Sequence, residues 1–208
     1  MVAPEVVDLF TEKARAVSAV VTPVKSLKEA FAYTLDICAK KEACQLLVSG
    51  CEEALSPKAE DLCETKATKI IAAPGLAKKD YAALGKLCAE QGIVLTDGGL
   101  RERLGGIDIG FTVADYAIAE TGSLVLDSTS EELRLATMIS EIHVAVVPLS
   151  KLAATAFDLE TELTARMKNG PSYLAFISGA SRTADIERVL AIGVHGPLEL
   201  HILLLEDK

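Results

Sequence analysis

Three features of the sequence predict an α/β fold built on a mostly parallel sheet. Helical and strand patterns alternate through the half of the chain before Asp97, as layered α/β architecture requires. Tyr173 to Ser178 reads as a strand apolar on both faces, like the interior of a parallel sheet. Between Ile107 and Leu126 strand formers flank Glu120-Thr121-Gly122, a connection too short for a crossover helix and suited to a hairpin inserted in the sheet. With 208 residues, half of them apolar, the chain is long enough for one domain, 1–208, burying roughly 70% of its unfolded surface. There is no internal repeat, low-complexity run or dividing linker.

Pro4 to Val17 is predicted as a helix, with Val6, Val7, Phe10 and Ala14 on one stripe. Ser26-Leu27-Lys28-Glu29 fits a capping box and opens a second helix to about Lys40. Gln45–Ser49 is a strand. Ser56-Pro57 sets an N-cap before a proline at the first helical position, leading a helix to about Thr65. Lys69–Ala73 is a strand closed by Pro74-Gly75, Asp80 to Glu90 a helix ended by Gly92, and Ile93–Thr96 a strand. Ile107–Ile118 and Ser123–Leu126 make the hairpin, with Gly122 at positive φ in its bend. Two overlapping capping boxes, Ser128 to Glu131 and Thr129 to Glu132, precede a helix Leu133–Ile139. Ile142–Val147 is a strand, and a long helix runs from about Ser150 to Met167, ended by Asn169-Gly170-Pro171. Tyr173–Ser178 and Leu198–Leu205 are strands around a helix from Ser181 to about Ala191, a βαβ unit if the two strands lie parallel.

Charge and composition exclude several partners. Lys and Arg total 21 against 30 Asp and Glu, a formal net charge of −9, which repels nucleic acid and anionic membrane. Trp is absent, which argues against stacking platforms for bases. No run reaches the ~18 apolar residues of a membrane helix, and the opening stretch lacks the basic n-region of a signal peptide. A cytoplasmic protein without membrane insertion is therefore expected. Five cysteines, an odd number with no C-x-x-C spacing, indicate neither a disulfide framework nor a zinc or iron–sulfur site. No His, Cys, Asp and Glu cluster has metal-ligand spacing, so no metal is predicted. With no G-x-G-x-x-G opening a helix, the chain is expected to hold no redox cofactor. Cys51, following a strand and Gly50, stands where a helix N-terminus would lower a thiol pKa, although buried inert thiols are commoner.

Candidate chemistry lies in three places. Gly179 turns the chain, and Ser181, Arg182 and Thr183 follow at the predicted helix mouth. Unpaired N–H groups there suit phosphate or carboxylate, and Arg182 adds a bidentate fork. Helix capping by Ser181 or Thr183 is the plainer reading, but Ala184 and Ile186 stand where a capping box needs an acid or amide. In the loop Gly193-Val194-His195-Gly196-Pro197, His195 is placed to donate to an anion or shuttle a proton, or only to hold its loop. Glu120, with Thr121, Gly122 and Ser123, is the carboxylate best placed for catalysis; a polar bend that fixes strand register would use the same residues. His143 and His201, inside strands, read as satisfied histidines. Asp185 and Glu187 complement a helix N-terminal turn.

Ala119 to Ser123, Ser178 to Glu187 and Gly193 to Pro197, in that order, resemble the LUD-domain family of lactate utilization protein C (LutC/YkgG-like) proteins. The N-terminal half resembles it only in its alternating pattern. The resemblance implies a three-layer α/β/α fold similar to NagB, ribose-5-phosphate isomerase and the CoA transferases. It further implies a part in oxidising L-lactate to pyruvate, beside partner proteins that carry iron–sulfur clusters. The bend at Glu120 resembles the Glu-x-Gly turn that bears the nucleophilic glutamate of CoA transferases, a carboxylate that attacks an acyl thioester. Ala180 stands where the family usually has proline, and a proline is also usual near Ser140; both departures touch loop geometry. Three functions stay open. One is a non-redox component that binds a small anionic metabolite or docks iron–sulfur partners. The second is a free-standing CoA-transferase-like or sugar-phosphate-isomerase-like enzyme using Glu120, and the third a metabolite sensor without catalysis. Homodimerisation stays open too.

Overall fold

The computed structural model describes residues 2–41, 68–103, 106–168, 173–183, 191–192 and 196–207. The strand expected at 45–49, the helix at 56–65, Cys51, Asp185, Glu187, Gly193 and His195 lie outside them. In chain order the elements are α1 (Pro4–Ala16), β1 (Ala19–Val24), α2 (Leu27–Lys40), β2 (Ile70–Ala72), α3 (Lys78–Glu90), β3 (Val94–Thr96) and β4 (Ile107–Val113). There follow β5 (Tyr116–Ile118), β6 (Ser123–Asp127), α4 (Glu131–Met138), β7 (Ser140–Pro148), β8 (Leu152–Ala153) and α5 (Glu160–Lys168). The last are β9 (Leu174–Ile177), β10 (Arg182–Thr183), β11 (Ala191–Ile192) and β12 (Glu199–Leu205).

Six strands form one sheet in the order β1-β12-β7-β4-β2-β3, parallel at every pairing. Such a sheet must be covered on both faces, and β4, β7 and β12 are accordingly buried along most of their length. On one face Ile142, Val144 and Val146 pack with Phe31 and Leu35 of α2 and Leu84 of α3. On the other, Ala145, Val147, Leu200 and Ile202 meet Phe10 and Ala14 of α1 together with Leu124 and Leu126 of β6. The architecture is α/β, with a mostly parallel central sheet and helices on both sides. A smaller sheet, β8-β5-β6-β9, holds the predicted hairpin: β5 and β6 pair antiparallel, and Gly122 in their bend has φ +62°.

Local signals place the helix ends. The Ser26 hydroxyl accepts from Glu29 N–H at 3.3 Å, as the capping pattern predicts, while the Glu29 carboxylate reaches one residue further back, to Lys25 N–H at 2.8 Å. At α4 the expected caps are replaced. Ser130, and neither Ser128 nor Thr129, accepts from the helix, at Leu133 N–H 3.5 Å away. Glu131 pairs instead with Arg101, and Glu132 accepts from the N–H groups of Gly99 and Leu100 at 3.2 and 3.1 Å.

Elsewhere the structure departs from the sequence reading. β1, unread in the sequence because Pro23 interrupts it, is an edge strand of the central sheet, where proline is tolerated. The helix predicted from Ser150 is shorter. β8 and two short 3₁₀ turns precede α5, the second opened by Thr155, whose N–H donates to the Asp158 carboxylate at 2.8 Å. The βαβ unit is absent: β9 runs antiparallel to β6 in the small sheet, whereas β12 inserts between β1 and β7. β9 is also not a buried strand, since Phe176 is 53% exposed. Arg182 and Thr183 form β10, paired antiparallel with Ile192 and Ala191; the helix expected after them falls on 184–190, outside the described residues.

Candidate functional site

A cavity of about 260 Å³ opens between α4, β9 and the segments 179–181 and 196–197, with His143 and Leu200 on its wall. Ser181 N–H donates to Pro197 O at 3.0 Å, which ties the two segments together. Gly179 makes the bend at φ +80°, with Val17 O only 2.1 Å from where a Cβ would stand. No residue with a side chain fits that approach.

Gly179, Ser181 and Gly196, all singled out in the sequence, line this cavity. Arg182 is exposed and does not line it. Glu120 and Gly122 do not line it either, although the bend reaches the cavity's rim through Ser123, whose partner Ser178 stands between Ile177 and Gly179 of the lining. At the bend Glu120 accepts from Ala156 N–H at 2.8 Å. Gly122 packs against the α1 backbone, and the Ser123 and Ser178 hydroxyls bond at 2.6 Å.

Arg134 on the wall was not singled out in the sequence, and His143 was read there only as a satisfied strand histidine. Arg134 Nη1 donates to the carbonyls of Ser128 and Thr129 at 2.6 and 2.9 Å, and its guanidinium carbon lies 5.6 Å from the centre of the Tyr173 ring, within cation–π range. Its Nε and Nη2 make no hydrogen bond among the described residues. One signal was available: an arginine in the first turns of a helix opposes the macrodipole, so its position calls for another reason. His143, 1% exposed, bonds through Nε2 to Thr112 Oγ1 at 2.9 Å. Alternation along β7 shows only that it faces inward, and the cavity above it comes from β9. His201 is satisfied on both nitrogens, by Tyr33 at 2.9 Å and Glu199 at 2.8 Å.

Burial pushes the His143 pKa down to about 4, so the ring is neutral near pH 7. The unfolded chain takes up this proton near pH 6.5, the folded chain only near 4. The resulting stability is present above pH 6.5 and lost as pH falls through the folded value. Its size is on the order of 3 kcal/mol at about 1.4 kcal/mol per pKa unit. Urea titrations at pH 7 and pH 4.5 should show His143→Gln losing less stability over that interval than the parent chain.

Among the described residues no group of three His, Cys, Asp or Glu is placed to hold a metal ion, and no helix is long and apolar enough to cross a membrane. Cys38 and Cys88 are buried, and burial pushes both thiols up to about 11, which makes them poor nucleophiles.

The family model described as LUD domain matches residues 7–205. Lactate utilization protein C of Halalkalibacterium halodurans is 38% identical over 112 residues, 52% of this chain and 49% of the relative. Lactate utilization protein C of Shouchella clausii is 35% identical over 103 residues, 49% of this chain and 45% of the relative. The chain thus spans about half the length of the curated relatives it matches. A crystal structure of a DUF162 family protein from Deinococcus radiodurans matches with a TM-score of 0.62 at 16% identity, covering 99% of both chains. The two share a fold.

Proposed function

The chain belongs to the LUD domain family, and from that premise we propose that it is a component of an L-lactate utilization system that binds a small anionic metabolite between α4 and β9. The relatives, lactate utilization proteins, supply the pathway. The observation that carries the binding role is the cavity itself, with the partly uncommitted guanidinium of Arg134 on its wall. In this reading the chain is the non-redox member. Electrons from L-lactate pass through partner proteins that hold iron–sulfur clusters, and this chain holds substrate or docks those partners without a cofactor of its own.

The reading of Glu120 as the nucleophile of a CoA-transferase-like or sugar-phosphate-isomerase-like enzyme has less behind it, because that carboxylate is engaged by Ala156 N–H and does not line the cavity. A sensor would differ from the proposed component in capturing ligand without any iron–sulfur partner. The test pairs two measurements. L-lactate or pyruvate at about 100 times its Kd should raise Tm by about 5–10 °C, and the tagged chain from lactate-grown cells should recover an iron–sulfur protein. No thermal shift with any hydroxy or keto acid, together with no iron–sulfur protein recovered, would overturn the proposal.

A further inference from the structure

We propose that His143 is a proton-coupled ligand group of this cavity: an anion that enters is bound together with one proton, taken up by the imidazole ring. The site then holds its ligand more tightly as the pH falls. This rests on the reading that the cavity holds a small anion, and it adds how that same site is regulated.

The placement of His143 is the starting observation. The residue lines the cavity yet is 1% exposed, so bulk water does not hydrate a charge on its ring. Nε2 is paired with the Thr112 hydroxyl at 2.9 Å, while Nδ1 makes no hydrogen bond among the described residues. A hydroxyl both donates and accepts, so Thr112 serves the neutral ring and the imidazolium alike. Whichever nitrogen carries the proton of the neutral ring, a second proton is accommodated, at Nδ1 or by rotation of that hydroxyl.

What the empty cavity lacks is a counter-ion for that second proton. Among the described residues lining it there is no carboxylate, and Arg134 is the one permanent charge. Ser128, Thr137, Tyr173 and Ser181 add hydroxyls, which do not ionise near neutral pH. Across the strand ladder the ring stands between Gly110 and Leu200, neither of them charged. Glu141, the one acid in β7, is held by Lys41 at 2.7 Å. His201 is engaged by Tyr33 and Glu199 and faces the other side of the sheet from Leu200, as alternation requires. Burial is the one cause that lowers the His143 pKa to about 4, so the Arg134 charge leaves the ring unaffected. A ligand anion is therefore the first opposite charge the ring meets, and an opposite charge within about 4–6 Å favours the charged form.

The sign follows. With the anion bound, His143 takes its proton at a higher pH than in the empty cavity. Between those two values affinity rises about tenfold for each unit by which the pH falls, and above both it is constant.

The test is isothermal titration calorimetry of the whole chain with pyruvate and with L-lactate at pH 8 and pH 5.5, a range over which both carboxylates stay ionised. At pH 5.5 it is repeated in two buffers of different ionisation enthalpy, so that the difference in heat counts the protons taken up. Binding should tighten roughly tenfold from pH 8 to pH 5.5, with up to one proton taken up per ligand. His143→Gln removes the titrating ring and should bind with the same affinity at both pH values and without proton uptake. The proton count is read on the parent chain, so it stands whether or not the variant folds. Binding without proton uptake, or a pH dependence that His143→Gln retains, would overturn this inference and leave the anion-binding role standing. Heat from neither probe at either pH would overturn the inference together with the binding role it rests on.

Discussion

Replacing Lys41 with methionine is expected to destabilise the fold by about 3–5 kcal/mol, the usual cost of removing one partner from a buried ion cluster. Lys41 follows α2, and its Nζ lies 2.9 Å from Asp108 Oδ1 and 2.7 Å from Glu141 Oε2, with all three side chains at most 1% exposed. Asp108 also accepts from Ile70 N–H at 2.7 Å, so one cluster joins the end of α2 to β2, β4 and β7. Without the ammonium, two carboxylates share a low-dielectric site, where like charges repel strongly. Urea denaturation at pH 7 measures the loss. Adding Asp108→Asn and Glu141→Gln to Lys41→Met should recover part of it, because the repulsion goes with the charges.

The same cluster sets a pH window. Burial pulls the Lys41 pKa down, but hydrogen bonds to Glu141 and Asp108 outweigh it and hold the value above the ordinary 10.5. A raised cationic pKa gives stability that is complete below the unfolded value and lost as pH climbs through the folded one. The Lys41 contribution therefore holds throughout the neutral range and fades only in strong alkali.

Gly122→Ala is expected to cost about 2–5 kcal/mol, read as a fall in the urea midpoint at unchanged slope. Two terms add. At φ +62° a side chain costs about 1–2 kcal/mol. A Cβ would also stand 2.3 Å from Ala14 N and 2.7 Å from Ala14 Cα, backbone atoms of α1 that cannot swing aside, and overpacking of that kind costs about 1–3 kcal/mol. The bend that resembles a catalytic turn is thus constrained first by its docking on α1. This packing reason is sufficient for the glycine whatever Glu120 does.

Several elements were legible because their causes are local. The stripe of Val6, Phe10 and Ala14 marks α1, the Ser26 cap opens α2, and the spacing of Glu120 to Gly122 admits only a tight bend. Misreadings arose where distant residues compete. Ser128 and Thr129 look like helix caps until Glu131 and Glu132 find Arg101 and the N–H groups of Gly99 and Leu100 across the molecule. The backbone of Arg182 pairs with that of Ile192, a partner that its neighbours in sequence do not announce.

The residues alone establish the α/β layering, the hairpin with its left-handed glycine and the family, since period, propensity and ordered motifs are properties of neighbouring positions. The partners of β9 and β12 and the meeting of Ser128, Arg134 and His143 follow from long-range pairing. A strand takes whichever edge buries its apolar face and satisfies its N–H and C=O groups best, and that choice depends on every other strand at once.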